Sequence, residues 1–231
     1  MNNILDYLKN KQLVWQGNHN NNVLAAQSSG YPELDAHLEG GLPEQGMLDI
    51  HSDTGIGELR LFLPYLLQRQ IQQQRLMVII APPLQINSEM LAEAGFALER
   101  ILVIQPDSAQ DALWAAEQCL KSGCCHSVLS WQNELEIHQV KRLQLAAKQG
   151  NSLHFVFRNQ QNNSLSLPVT MSLQLAPSHE GISIKINKRI GSWNNNKVTL
   201  NMRQHWPVLT QPETQATYAD NLIPFPNRRV S

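Results

Sequence analysis

MLDIHSDTGIGELRLFLPYLL, residues 47–67, is the stretch whose reading decides the fold. Met47, Leu48 and Ile50 make a short apolar run of strand type, and Ser52, Asp53, Thr54, Gly55, Ile56 and Gly57 supply a turn of mostly small or polar residues. Leu59, Phe62, Leu63, Leu66 and Leu67 then recur three and four apart, the spacing of one apolar helix face. The reading is strand, glycine turn, helix.

In that frame the pattern GxxxxGK[ST] holds phosphates: backbone N–H groups and the lysine face the anion at the helix N-terminus, and the hydroxyl binds Mg²⁺. Aligned on Gly57, the chain has Ser52 for the first glycine, Glu58 for the lysine and Leu59 for the hydroxyl residue. A carboxylate about 4 Å from a triphosphate turns attraction into repulsion worth several kcal/mol at an effective dielectric of about 20. No cofactor is therefore expected, and no binding of ATP. Hydrolysis also needs an acid at the end of a central strand. Ser130 and Trp131 stand there instead, after Val128 and Leu129, and no carboxylate follows before Glu134. Spacing alone leaves open a plain strand-to-helix turn capped by Asp53 or Thr54.

Downstream, residues 75–83 (RLMVIIAPP) are apolar without alternation, the mark of a strand covered on both faces in a parallel sheet. A short helix is expected over 87–95, capped by Asn87 or Ser88, then a strand over 101–104 and a helix from Ser108 to about Lys121. A strand over 126–131, a helix over 135–148 and a strand over 153–157 follow. This alternation predicts βαβ units on a mostly parallel sheet. Residues 169–175 and 181–191 alternate with period two instead, which predicts an antiparallel edge hairpin. Ile182, Ile184 and Ile186 should face its covered side, and Ser183, Lys185 and Asn187 the other. Upstream, Leu34 and Leu38 share a helix face that Gly40 and Gly41 end. The expected organisation is an N-terminal helix and polar linker over 1–27, one domain over 28–206, and an extended tail over 207–231.

The 231 residues are 42% hydrophobic with a formal net charge of −1, so a substantial core is expected and a nucleic-acid or membrane polycation is not. No stretch reaches the ~18 apolar residues of a membrane span, and residues 1–13 lack a signal-peptide core. A cytoplasmic location is expected. Cys119, Cys124 and Cys125 read as reduced thiols buried as small core residues. A metal site is not expected, because Cys124, Cys125 and His126 are consecutive and no second ligand pair follows. The eight histidines lack HExxH spacing and read as strand or surface residues, and no catalytic residue is assigned. Lys185, Lys188, Arg189, Trp193, Lys197 and Trp206 form a candidate partner or DNA contact, since cations beside aromatics suit phosphates and bases. Lysines that guard a sheet edge against aggregation are the plainer alternative. The tail residues Pro207, Phe225, Pro226, Arg228 and Arg229 extend that set as a candidate docking segment.

Residues 28–64 resemble the opening of a RecA-like ATPase core, with Ser29-Gly30-Tyr31, Leu34-Asp35, Leu38, Gly40-Gly41, Pro43 and Gly46 in matching positions. Together with TGIGEL, IAPP, DALWAAEQCLKSG, VLSW, KRLQLAA and KRIG, they make the chain similar to the SulA/ImuA family of degenerate RecA-like proteins. The resemblance spans about residues 28–206, and its SulA part about 58–159. It implies a degenerate RecA-like P-loop core without enzymatic activity, serving the bacterial SOS response to DNA damage. ImuA-type members imply translesion synthesis, with an ImuB-type polymerase adaptor and an error-prone polymerase as partners. SulA-type members imply inhibition of cell division through FtsZ. The SGYPELD segment and residues 185–206 favour the ImuA-type reading, with the SulA-type as alternative. A partner-binding surface on the former RecA subunit face is a further expectation, as is self-association.

Overall fold

The computed structural model describes residues 25–159, 167–179, 181–190 and 197–206. The expected N-terminal helix, most of its linker, Trp193 and the tail beyond Trp206 lie outside the described residues.

Two short strands, β1 (Ala26–Gln27) and β2 (Leu42–Pro43), pair antiparallel around α1 (Pro32–His37). The main sheet takes β3 (Gly46–His51), β4 (Leu76–Ile80), β5 (Ile101–Ile104), β6 (Cys125–Trp131), β7 (Leu153–Arg158), β8 (Met171–Ser178), β9 (Gly181–Arg189) and β10 (Lys197–Asn201). Their order is β10-β9-β8-β3-β7-β6-β4-β5, parallel from β8 to β5 and antiparallel beyond β8. The helices are α2 (Glu58–Gln73), α3 (Ser88–Glu93), α4 (Ala109–Lys121) and α5 (Ile137–Gln149). The molecule is thus an α/β fold, a mixed sheet flanked by helices.

Local chemistry sets several of these boundaries. Asn87 accepts the N–H of Met90 and Ser108 that of Asp111, so each satisfies an amide that the first helical turn leaves unpaired. Glu136 and Gln139 close a reciprocal capping box on α5. Gly46, at φ +109°, lets β8 approach β3: a Cβ there would lie 2.2 Å from Thr170 Oγ1, the acceptor of the Met47 N–H.

The sheet separates two cores. On the α2 side, Leu48, Ile50, Phe62, Tyr65, Phe155, Phe157 and the inward isoleucines of β9 form one cluster. Phe155 meets Phe62 and Tyr65 edge to face at 5.3 and 6.0 Å between ring centroids. On the α4–α5 side, Met47, Val78, Val128, Val140, Leu143 and Val156 form the other.

Residues 197–201, for which the sequence predicts no strand, form β10, because Val198 and Leu200 alternate with polar neighbours and bury against the α2-side core. The apolar run of β5, a strand as expected, lies at the outer edge of the sheet and leaves Leu102 and Val103 each 44% exposed. Among the described residues no helix is long and apolar enough to cross a membrane.

Candidate functional site

The turn after β3 and the strand ends beside it hold most of the residues singled out above. Ser52 is buried, its N–H donated to the Arg158 carbonyl at 2.9 Å. Asp53 and Thr54 are exposed and neither caps α2, contrary to the plain-turn expectation. The N-cap is Gly57 at φ 92°, a left-handed conformation that removes the usual side-chain cap geometry. Glu58 takes over. Its side chain folds back, and both carboxylate oxygens accept the Gly55 N–H at 3.2 Å. Glu58 is only 7% exposed, so the carboxylate sits inside the turn and occupies an amide that a phosphate-binding loop would turn to its ligand. Ile56 and Leu59 are half-buried against the α2-side core.

Ser130 ends the run of buried residues on β6, one strand removed from β3. It is fully buried, with Oγ 2.8 Å from His154 Nε2. Burial pushes the His154 pKa down to about 3, so its imidazole is neutral at ordinary pH. A hydroxyl beside a neutral imidazole is the first half of a nucleophile–base pair. Two features remove that chemistry: His154 Nδ1 has no hydrogen-bond partner to orient the ring, and neither residue is exposed above 1%. Beside Ser130, Trp131 stacks on Phe157 at 4.7 Å.

A buried ionic group escaped the sequence reading. Asp49 Oδ2 is 2.8 Å from His51 Nε2 and 3.5 Å from the Ser172 hydroxyl, and Asp49 Oδ1 is 3.6 Å from Arg158 Nη1. Period two in β3 puts Asp49 and His51 on the α4–α5 side, and the register sets His51 beside Arg158. Arg158 also lines a cleft of about 820 Å³ between α4 and α5 that holds the 63% exposed Trp114. On the other side, Arg69 is buried, donating to the Tyr65 hydroxyl and to the His126 carbonyl. Burial, then Arg69 and Arg75, push the His126 pKa down to about 3. Among the described residues no cluster of three His, Cys, Asp or Glu could hold a metal.

The basic set is not one surface. Lys185 and Lys197 are exposed and face each other across β9 and β10, an unfavourable pairing of like charges. Lys188 donates to the Leu167 carbonyl at 2.9 Å and Arg189 pairs with Glu39 at 3.2 Å. Trp206 packs against the α2-side core, the opposite face from Lys185. The uniform burial expected of the cysteines also fails: Cys125 is buried, Cys119 half-buried and Cys124 exposed.

These features define an α/β protein with a mixed sheet flanked by helices, in which the loop after β3 is closed by the Glu58 carboxylate. Residues 48–154 match the family model described as "Cell division inhibitor SulA". SulA of Photorhabdus laumondii is 32% identical over 101 residues, 44% of this chain and 56% of the relative. SulA of Yersinia pestis (strain Pestoides F) is 29% identical over 125 residues, 54% of this chain and 72% of the relative. The crystal structure of SulA from Pseudomonas aeruginosa aligns at 30% identity over 48% of this chain and 97% of that one, with a TM-score of 0.42. The chain thus spans little more than half of the Photorhabdus relative's length. The main expectation drawn from the resemblance, an ImuA-type factor of translesion synthesis with ImuB and polymerase partners, is overturned. The relatives are named as division inhibitors, and the segment and strands that favoured the other reading, residues 29–35 and 185–206, lie outside the matched family segment.

Proposed function

We propose that this chain inhibits cell division in the manner of SulA, by protein–protein contact with FtsZ in the cytoplasm during the SOS response, and without nucleotide chemistry. The observation that carries the non-enzymatic part is the Glu58 carboxylate folded onto the Gly55 amide, which fills the loop from within. The buried Ser130–His154 pair at the strand end supports it, since no acid stands there to hold Mg²⁺. We read the α/β unit as a RecA-like core that has lost its ligand, a reading supported by strand, glycine turn and helix in sequence at residues 46–73.

The test is light scattering of polymerising FtsZ titrated with the purified full chain, with and without ATP. Scattering should fall as the chain is added, equally in both conditions. Polymerisation unchanged at large excess of the chain would overturn the partner, and inhibition that requires ATP would overturn the non-nucleotide reading. In the same preparation Ser52→Gly/Glu58→Lys/Leu59→Thr should release no phosphate from ATP, because Ser130 still stands at the acid's place.

A further inference from the structure

We propose that the groove between α2 and α3 is a docking site for this chain's own C-terminal segment Pro207-Val208-Leu209, which closes it within the same molecule. The proposal rests on the fold and is independent of the partner assigned above.

The groove begins with the sequence of α2. Phe62 and Leu66 turn into the core, and Leu63, Leu67 and Ile71, each four residues from the last, form a second apolar row along the helix. That row runs from buried Leu63 through half-buried Leu67 to Ile71, which is 68% exposed. Met90, Ala94 and Phe96, from α3 and the turn after it, make the opposite wall of a cavity of about 480 Å³. Gln68 and Glu93 stand at its rim. An apolar row that outruns what the core takes up is a surface that favours a cover.

The end of the described chain is fixed at this groove. After β10, Asn201 Oδ1 accepts the Arg203 N–H at 3.0 Å, and the Trp206 N–H donates to the Met202 carbonyl at 2.9 Å. His205 Nε2 donates to the Gly30 carbonyl at 3.0 Å, and its ring meets Tyr31 edge to face at 4.8 Å. Gly30 in turn is pressed onto α2, since a Cβ there would lie 2.5 Å from the Pro64 Cβ. His205 and Trp206 are thereby held where both line the groove.

Residues 207–231 follow, and the first three are Pro207, Val208 and Leu209. Proline lacks the N–H that would continue the turn through Met202. At about 3.5 Å per residue, Val208 and Leu209 start within ~10 Å of Trp206. So short a tether gives them an effective concentration at the groove on the order of millimolar or above. The apolar residues near the other terminus, Ile4, Leu5 and Leu8, are separated from β1 by the polar stretch 16–22, which makes theirs lower. The segment beside Trp206 is therefore the occupant the geometry favours.

The test places a benzophenone amino acid at Thr210 of the full chain, irradiates a mixture of isotopically heavy and light chains, and maps the cross-linked peptides by mass. Links should fall on residues 63–71 and 90–96 of the same chain. Val208→Ser/Leu209→Ser leaves the tether as it is, yet should reduce those links about tenfold, because burying either side chain is worth at least one decade in equilibrium. Ile71→Asp, a change at an exposed position, should reduce them from the groove's side. Circular dichroism of both variants checks that loss of the links is not loss of the fold. Links that survive both substitutions, links that fall only elsewhere, or links that join heavy to light chains would each overturn the proposal, the last by assigning the groove to the segment of another copy.

Discussion

On the α2 face of the sheet, Phe62, Tyr65, Phe155 and Phe157 pack ring against ring, with the buried Arg69 beside them. On the α4–α5 face the same strands carry Asp49, His51, Ser130, His154 and Arg158, all buried. One face is centred on an aromatic cluster, and the other sets paired charges and hydrogen bonds among aliphatic residues such as Val128, Val140 and Val156. The difference teaches where polar groups can be buried without disturbing the fold. Charges are stable in a dry interior only when mutually paired, and the apolar clusters on both sides supply the stability that tolerates them.

Breaking the apolar face should have the largest effect. Phe155→Ala removes a fully buried ring that touches Phe62 and Tyr65, and should cost about 3–5 kcal/mol in urea unfolding. A cost below ~1 kcal/mol would mean that the aromatic cluster is not the foundation of the core.

On the polar face, Asp49→Ala leaves the Arg158 guanidinium buried without its carboxylate and should cost about 3 kcal/mol, the low end of the range, since 3.6 Å is long for an ion pair. Asp49→Leu/Arg158→Met together should unfold at higher urea than either single change. Additive losses would show that the two groups do not act as a pair.

The smallest effect sharpens the contrast by pH. His154 and His126 titrate near 3 when folded and near 6.5 when unfolded, so below 6.5 the unfolded chain binds protons that the folded chain refuses. Stability from these groups is complete above pH 6.5 and is lost as pH falls toward 3. The loss should be about 1 kcal/mol per histidine over the first unit below 6.5. His154→Gln should halve that slope in urea midpoints measured between pH 7 and 5.5; an unchanged slope would remove His154 from the account.

Much of the frame was legible because its signals are local. The unbroken apolar run at 76–80 reads as a covered strand, and GISIKINKR alternates so cleanly that Ile182, Ile184 and Ile186 point inward as expected. The Asp49–His51–Arg158 group was not legible. A charge two residues from a histidine in a strand reads as a solvated face, and only the packing of α5 over β3 makes that face an interior. Glu58 was legible as a broken lysine position but not as a plug, since its contact with Gly55 depends on the left-handed Gly57. The basic set failed for the opposite reason: residues close in sequence are separated by the sheet, so Trp206 and Lys185 lie on opposite sides.

The bare flank at β5 carries a consequence for anyone who concentrates the protein. Four apolar residues in a row, without charge or proline, end the sheet with backbone groups that no described strand takes up. Such an edge is a template for another strand of the same kind. On storage, slow clouding of a concentrated preparation is therefore expected to start at this edge.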